Sequence, residues 1–175
     1  PFNNTPMKKI LLSVLLLLII FSCQLDTKER YTRTSTEIDL LKNGIEYYEN
    51  ANWDKWAEQY ADSAKIYQNT WYVWSSPAVP KERHIDLISK LSNYGFEREN
   101  LSMERIIDDK GRIWVNSWAL WRGTLKANDK VIEIPVHLTI QFVDGKIIEE
   151  WGFWDTAALN EELKNSESTT AFSNN

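Results

Sequence analysis

Ile134-Pro135-Val136-His137-Leu138-Thr139-Ile140-Gln141-Phe142-Val143, then Asp144-Gly145, then Lys146-Ile147-Ile148-Glu149-Glu150-Trp151-Gly152-Phe153-Trp154-Asp155, is the stretch that decides the fold. Apolar and polar residues alternate around a dipeptide that favours a two-residue type I′ turn, so the segment reads as a β-hairpin whose register is set by its turn. Pairing Val143 with Lys146 puts Phe142 opposite Ile147, Ile140 opposite Glu149, Leu138 opposite Trp151, Val136 opposite Phe153 and Ile134 opposite Asp155. Every first member is apolar. This is therefore the expected buried face, because a one-residue slip would carry the whole set into water. Glu149 and Asp155 become carboxylates on an apolar face, while His137 and Trp154 fall on the other.

Outward from this hairpin, Asp108-Asp109-Lys110-Gly111 and Asn128-Asp129 separate further strand patterns over 101–107, 113–125 and 131–143, which makes three successive hairpins. A two-residue loop at Asn128-Asp129 would place His137 across from Leu120. It would also put Val115, Ser117, Ala119 and Trp121 on the inner face, with space beside Trp151. An odd change in that loop would invert the assignment.

The region before residue 95 reads as helical. Ser35 or Thr36 can cap a helix to about Tyr48 with Ile38, Leu41, Ile45 and Tyr48 on one face, and Gly44 inside it implies a close neighbour. Asn52 can cap a second helix with a stripe of Trp53, Trp56, Ala57 and Tyr60. Residues 64–67 suggest a brief strand, 71–77 an aromatic loop, and a third helix runs from about Pro80 to Gly95. A last short helix starts at Asp155 or Thr156. Helices first and antiparallel strands later specify an α+β fold, with helices on one face of a curved sheet.

The chain has 175 residues, 43% hydrophobic and 26% charged, which fits one globular domain. With Lys+Arg 20 against Asp+Glu 25 and no basic stripe, it lacks an electrostatic footprint for nucleic acid. Nine Trp exceed what a core of this size needs and point to an aromatic pocket or surface. Two His on separate elements and a lone Cys make no metal constellation, no Gly-rich phosphate loop is present, and no cofactor is expected.

Met7-Lys8-Lys9 followed by apolar residues 10–21 reads as an export signal, too short to span a bilayer. Leu18-Ile19-Ile20-Phe21-Ser22-Cys23 resembles a bacterial lipobox, which implies acylation at Cys23, cleavage before it and a lipid-anchored protein of the cell envelope. The plainer alternative is a secretory signal with an incidental Cys23. The organisation expected is upstream residues and signal over 1–22, a polar tether over 23–35, one domain over 36–164, and a disordered tail over 165–175.

Trp56-Ala57-Glu58-Gln59-Tyr60-Ala61-Asp62 before a short strand, and Asp144-Gly145-Lys146-Ile147-Ile148-Glu149-Glu150-Trp151 leading to Asp155 and a helix, resemble the SnoaL-like branch of the nuclear transport factor 2-like superfamily. The resemblance covers about residues 36–163. It implies a cone of curved antiparallel sheet over helices, a pocket between them and frequent homodimers. The superfamily holds polyketide cyclases, ketosteroid isomerase and scytalone dehydratase beside members without chemistry, so fold alone does not assign function. Relatives often carry an acid directly after the Trp matching Trp151, where this chain has Gly152. Tyr60 and Asp62 match a helix-to-strand corner, and Asp155 matches a common strand-end Asp that can also cap a helix.

Three functions are thus expected in order. The first is a binding protein for a small, largely apolar ligand, in a cone lined by Trp56, Tyr60, Trp121, Trp151 and Phe153 and capped by the Trp71/Trp74 loop. The second is an isomerase, cyclase or dehydratase whose catalytic acid or base is Glu149 or Asp155, set in the apolar surroundings of Trp151 and Phe153. The third is a surface carbohydrate-binding protein. An outer-face patch of Trp154, Trp114 and Trp118 suggests a homodimer.

Overall fold

The computed structural model describes residues 29–173. Ser35 caps helix α1, Thr36–Glu49, its Oγ accepting from Ile38 N at 3.3 Å, and Ile38, Leu41, Ile45 and Tyr48 form the buried stripe. Asn52 caps α2, Trp53–Glu58, by accepting from Lys55 N. The close neighbour of Gly44 is Gln59: a Cβ added to Gly44 would lie 2.3 Å from Gln59 Oε1, and Gln59 Nε2 donates to Leu40 O at 2.6 Å. These two helices pack on the inner face of a curved, unclosed sheet.

Seven strands make that sheet: β1 (Tyr31–Thr32), β2 (Tyr60–Gln68), β3 (Leu91–Phe96), β4 (Ser102–Ile107), β5 (Ile113–Leu125), β6 (Val131–Val143) and β7 (Lys146–Trp154). The order is β1-β4-β5-β6-β7-β2, with β3 also on β5; β2 runs parallel to β7 and every other pairing is antiparallel. Helix α3, Ala78–Ser89, follows β2, and α4, Ala157–Ser173, follows β7. Part of the segment expected as a tether supplies β1, and α4 continues past residue 165.

The third helix stops at Ser89 rather than at Gly95, because residues 91–96 form β3. β4 pairs with only the first half of β5, residues 113–118, and the second half would be an open edge. β3 covers that edge, pairing Leu91 with Leu125 and Phe96 with Trp121.

The β6–β7 turn has the expected form, with Asp144 at φ 48° and Gly145 at φ 74°, and it pairs Val143 with Lys146 and Phe142 with Ile147. The register then shifts. The next pair is Gln141 with Glu149, so β7 carries one extra residue, a β-bulge at Ile148. Beyond it Ile140 pairs with Glu150, Leu138 with Gly152 and Val136 with Trp154. One added residue inverts every later side chain, so Glu150, Gly152 and Trp154 face inward, while Glu149, Trp151 and Phe153 face outward, contrary to the unbulged pairing.

The β5–β6 loop departs from expectation by an even number. Leu125 N donates to Lys130 O and Asp129 N to Leu125 O, closing a four-residue loop, and Trp121 pairs with Ile134. A shift of two keeps the faces, so Val115, Ser117 and Trp121 are buried inside as expected. His137 lies outside, across from Trp118 rather than Leu120.

Candidate functional site

Between α1, α2, α3 and the inner sheet face lies a cavity of about 150 Å³. Its helical wall carries Ile45, Tyr48, Trp56, His84 and Leu87; its sheet wall carries Tyr60, Trp121, Ile134, Leu138, Glu150 and Trp154. Two glycines shape the sheet wall. A Cβ on Gly152 would fall 2.2 Å from the Trp154 ring, and one on Gly123 would fall 2.3 Å from the Trp121 ring. Each indole therefore folds back over a glycine two residues away on its own strand, which leaves the space in front of it open.

The polar centre is a pair contributed by neighbouring strands. Tyr60 begins β2, Glu150 lies in β7, and the Tyr60 hydroxyl donates to Glu150 Oε2 at 2.7 Å in buried surroundings. Burial pushes the Glu150 carboxyl up from its ordinary range, and the Tyr60 hydrogen bond opposes this in part. Burial first, and then the neighbouring carboxylate, raise the Tyr60 hydroxyl well above a free tyrosine. Across the cavity Trp121 Nε1 donates to the Tyr48 hydroxyl at 3.0 Å, fixing both rings. His84 is enclosed by aromatic rings, with Tyr48 at 5.2 Å, Trp56 at 6.1 Å and Trp53 stacked at 6.4 Å. Burial, with the charge of Arg83 as a smaller cause, lowers His84 to about 4, so its imidazole is neutral at pH 7.

Of the residues expected at the site, Trp56, Tyr60 and Trp121 line the cavity. The other expected ligand contacts, Trp151 and Phe153, do not. Trp151 stacks on Tyr67 at 4.7 Å on the outer face, and Phe153 lies against Trp71. Glu149 is turned away by the same bulge and pairs in the sheet with Gln141 and Lys65. Asp155 is exposed beyond the strand end and accepts from Ala157 N at 2.8 Å, the capping alternative for this residue. The Trp71/Trp74 loop stands on the outer side and caps nothing on the cavity; Lys65 Nζ lies 5.6 Å from the Trp74 ring. Cys23 lies outside the described residues. Sequence reasoning missed Glu150 and Trp154, whose only signal was the doubled Glu149-Glu150, and it left Tyr48 and His84 to packing.

No family model matches the sequence. Solved structures resemble its fold. A candidate polyketide cyclase from Xanthomonas campestris pv. campestris aligns with a TM-score of 0.57 at 12% identity, over 77% of this chain and 99% of that one. PrhC from Penicillium brasilianum aligns with a TM-score of 0.61 at 14% identity, over 80% and 93%. A candidate SnoaL-like polyketide cyclase from Shewanella denitrificans aligns with a TM-score of 0.53 at 13% identity, over 75% and 99%. Helices laid over a curved, unclosed sheet, with a cavity between them, give this chain the SnoaL-like form of the nuclear transport factor 2-like fold.

Proposed function

We propose that the protein binds a small, largely apolar molecule in the cavity between its helices and sheet, oriented by the Tyr60–Glu150 pair. The observation that carries this reading is a buried carboxylate on a wall of rings and aliphatic side chains, held by one tyrosine at 2.7 Å. Pockets that capture small molecules are mostly apolar with a few fixed polar groups. A second reading is supported by the same pair: a carboxyl raised by burial is a stronger base than an exposed one, and a buried acid–base group facing a cavity is what an isomerase or cyclase requires. Candidate polyketide cyclases among the structural neighbours fit that reading without favouring it over binding. The carbohydrate reading loses support on the outer face, where Tyr67 and Trp151 cover each other's ring faces.

Native mass spectrometry of the gently purified protein should show a retained or added small ligand, and Trp121→Ala should lose it while staying folded. Binding undiminished in that variant would place the ligand elsewhere. Catalysis is read separately: Glu150→Gln should abolish any turnover found in a metabolite screen.

Among the described residues no helix is long and apolar enough to cross a membrane, and the lipobox-like run before Cys23 supports a lipid anchor at the cell envelope. Labelled palmitate should enter the wild-type protein and not Cys23→Ser; incorporation that survives the substitution ends this part of the reading.

A further inference from the structure

The ionisable groups of the cavity are unevenly matched. Among the described residues its wall carries one acid, Glu150, and no Lys or Arg, and His84 is neutral at pH 7. Elsewhere in the fold, shielded carboxylates meet cations: Glu49 pairs with Arg98, Glu97 with Arg122, and Glu162 with Lys130. Glu150 is more buried than these, yet its hydrogen bond comes from the neutral Tyr60 hydroxyl. An ionised carboxylate in such a place lacks a counter-charge, and burying it alone is costly.

The rest of the wall suits a particular kind of counter-ion. Tyr48, Trp56, Trp121 and Trp154 present aromatic rings, whose negative faces attract an ammonium most strongly when both are removed from water. The cavity, about 150 Å³, is the size that accepts a benzene-sized guest of roughly six to eight heavy atoms. A hydrated metal ion gains little from rings and aliphatic groups, and an anion would be repelled by Glu150.

Building on the pocket reading above, we propose that the ligand is a small organic cation, an ammonium clad in methyl or methylene groups, with its charge at Glu150 and its hydrocarbon against the aromatic wall. The cation supplies the charge that the fold omits. It also favours the ionised form of Glu150, because an opposite charge nearby stabilises the carboxylate.

Three matched probes test this on the full chain by calorimetry: choline, the neutral alcohol with carbon in place of its nitrogen, and the corresponding branched carboxylate. Choline should bind at least about tenfold more tightly than the alcohol, and the carboxylate least. Glu150→Gln should remove that preference, and choline affinity should rise with pH as Glu150 ionises while alcohol affinity stays level. Should Glu150→Gln fail to fold, the wild-type ratio and its pH dependence still decide. Alcohol binding equal to or tighter than choline refutes the cation and leaves the pocket standing. Failure of all three probes to bind or to raise the melting temperature overturns cation and pocket together.

Discussion

His84 shows most directly how burial controls charge in this molecule. Its ring lies among Tyr48, Trp53 and Trp56, and burial, assisted by Arg83, holds it at about 4 against 6.5 for an exposed histidine. A lowered folded-state value means the unfolded chain takes the proton first as pH falls. Stability should therefore decline from about pH 6.5 down to about pH 4, by something of order 2 kcal/mol from this group. Thermal unfolding across that window, compared with His84→Phe, checks the assignment; equal slopes in the two proteins would remove His84 from the acid response. Glu150 contributes with the opposite sign. Its folded-state value is raised, so above the ordinary glutamate range the unfolded chain ionises first and stability falls as pH rises toward the folded value.

The same inward-facing logic governs β7, where one inserted residue chooses between two nearly equivalent faces. The turn, the inner residues of β5 and β6, and the caps at Ser35 and Asn52 were legible in the sequence, because each depends on local chemistry or on strict alternation. The bulge at Ile148 was not legible. Trp151 and Phe153 on one face and Trp154 on the other satisfy an apolar pattern either way, so periodicity could not distinguish Glu149 from Glu150. What decides is long-range: β2 adds in parallel to the far edge of β7, with its own shift between Tyr60 and Lys65, and it brings the Tyr60 hydroxyl to Glu150. β3 was missed for a related reason, since the need to cover half of β5 arises only once the strands are assembled. The glycines make this element testable. Gly152→Ala sets a methyl against the Trp154 ring and close to Leu138 Cδ2, so the indole must swing into the cavity. We expect a loss of about 1–3 kcal/mol in denaturant unfolding and weakened ligand binding. A stable variant with unchanged affinity would show that Trp154 does not shape the pocket.

For the whole molecule, the outer sheet face carries aromatic residues that the cavity does not use. Tyr67, Trp151 and Trp114 form one row of rings, with centroid separations of 4.7 Å and 5.8 Å. Trp118 packs on His137, and Phe153 on Trp71. Trp118 remains 44% exposed and Trp71 69% exposed. Trp154, expected on this face, is inside instead, but Trp151 and Phe153 replace it, and the patch stays aromatic. Contiguous exposed rings of this kind are the surface on which a second copy could pack. A two-fold axis would let the patch cover its own copy, as an isologous interface requires, while both cavities remain on the opposite faces of their sheets. The expected assembly is a homodimer that buries about 800 Å² on each subunit. Light scattering at micromolar concentration should give twice the chain mass. Trp118→Glu, which places a charge on this outer face without touching the cavity, should shift it to the monomer and leave ligand binding intact. A monomer mass for the wild type throughout that range would refute the dimer and leave the outer rings to pack only against one another, as Tyr67 and Trp151 already do.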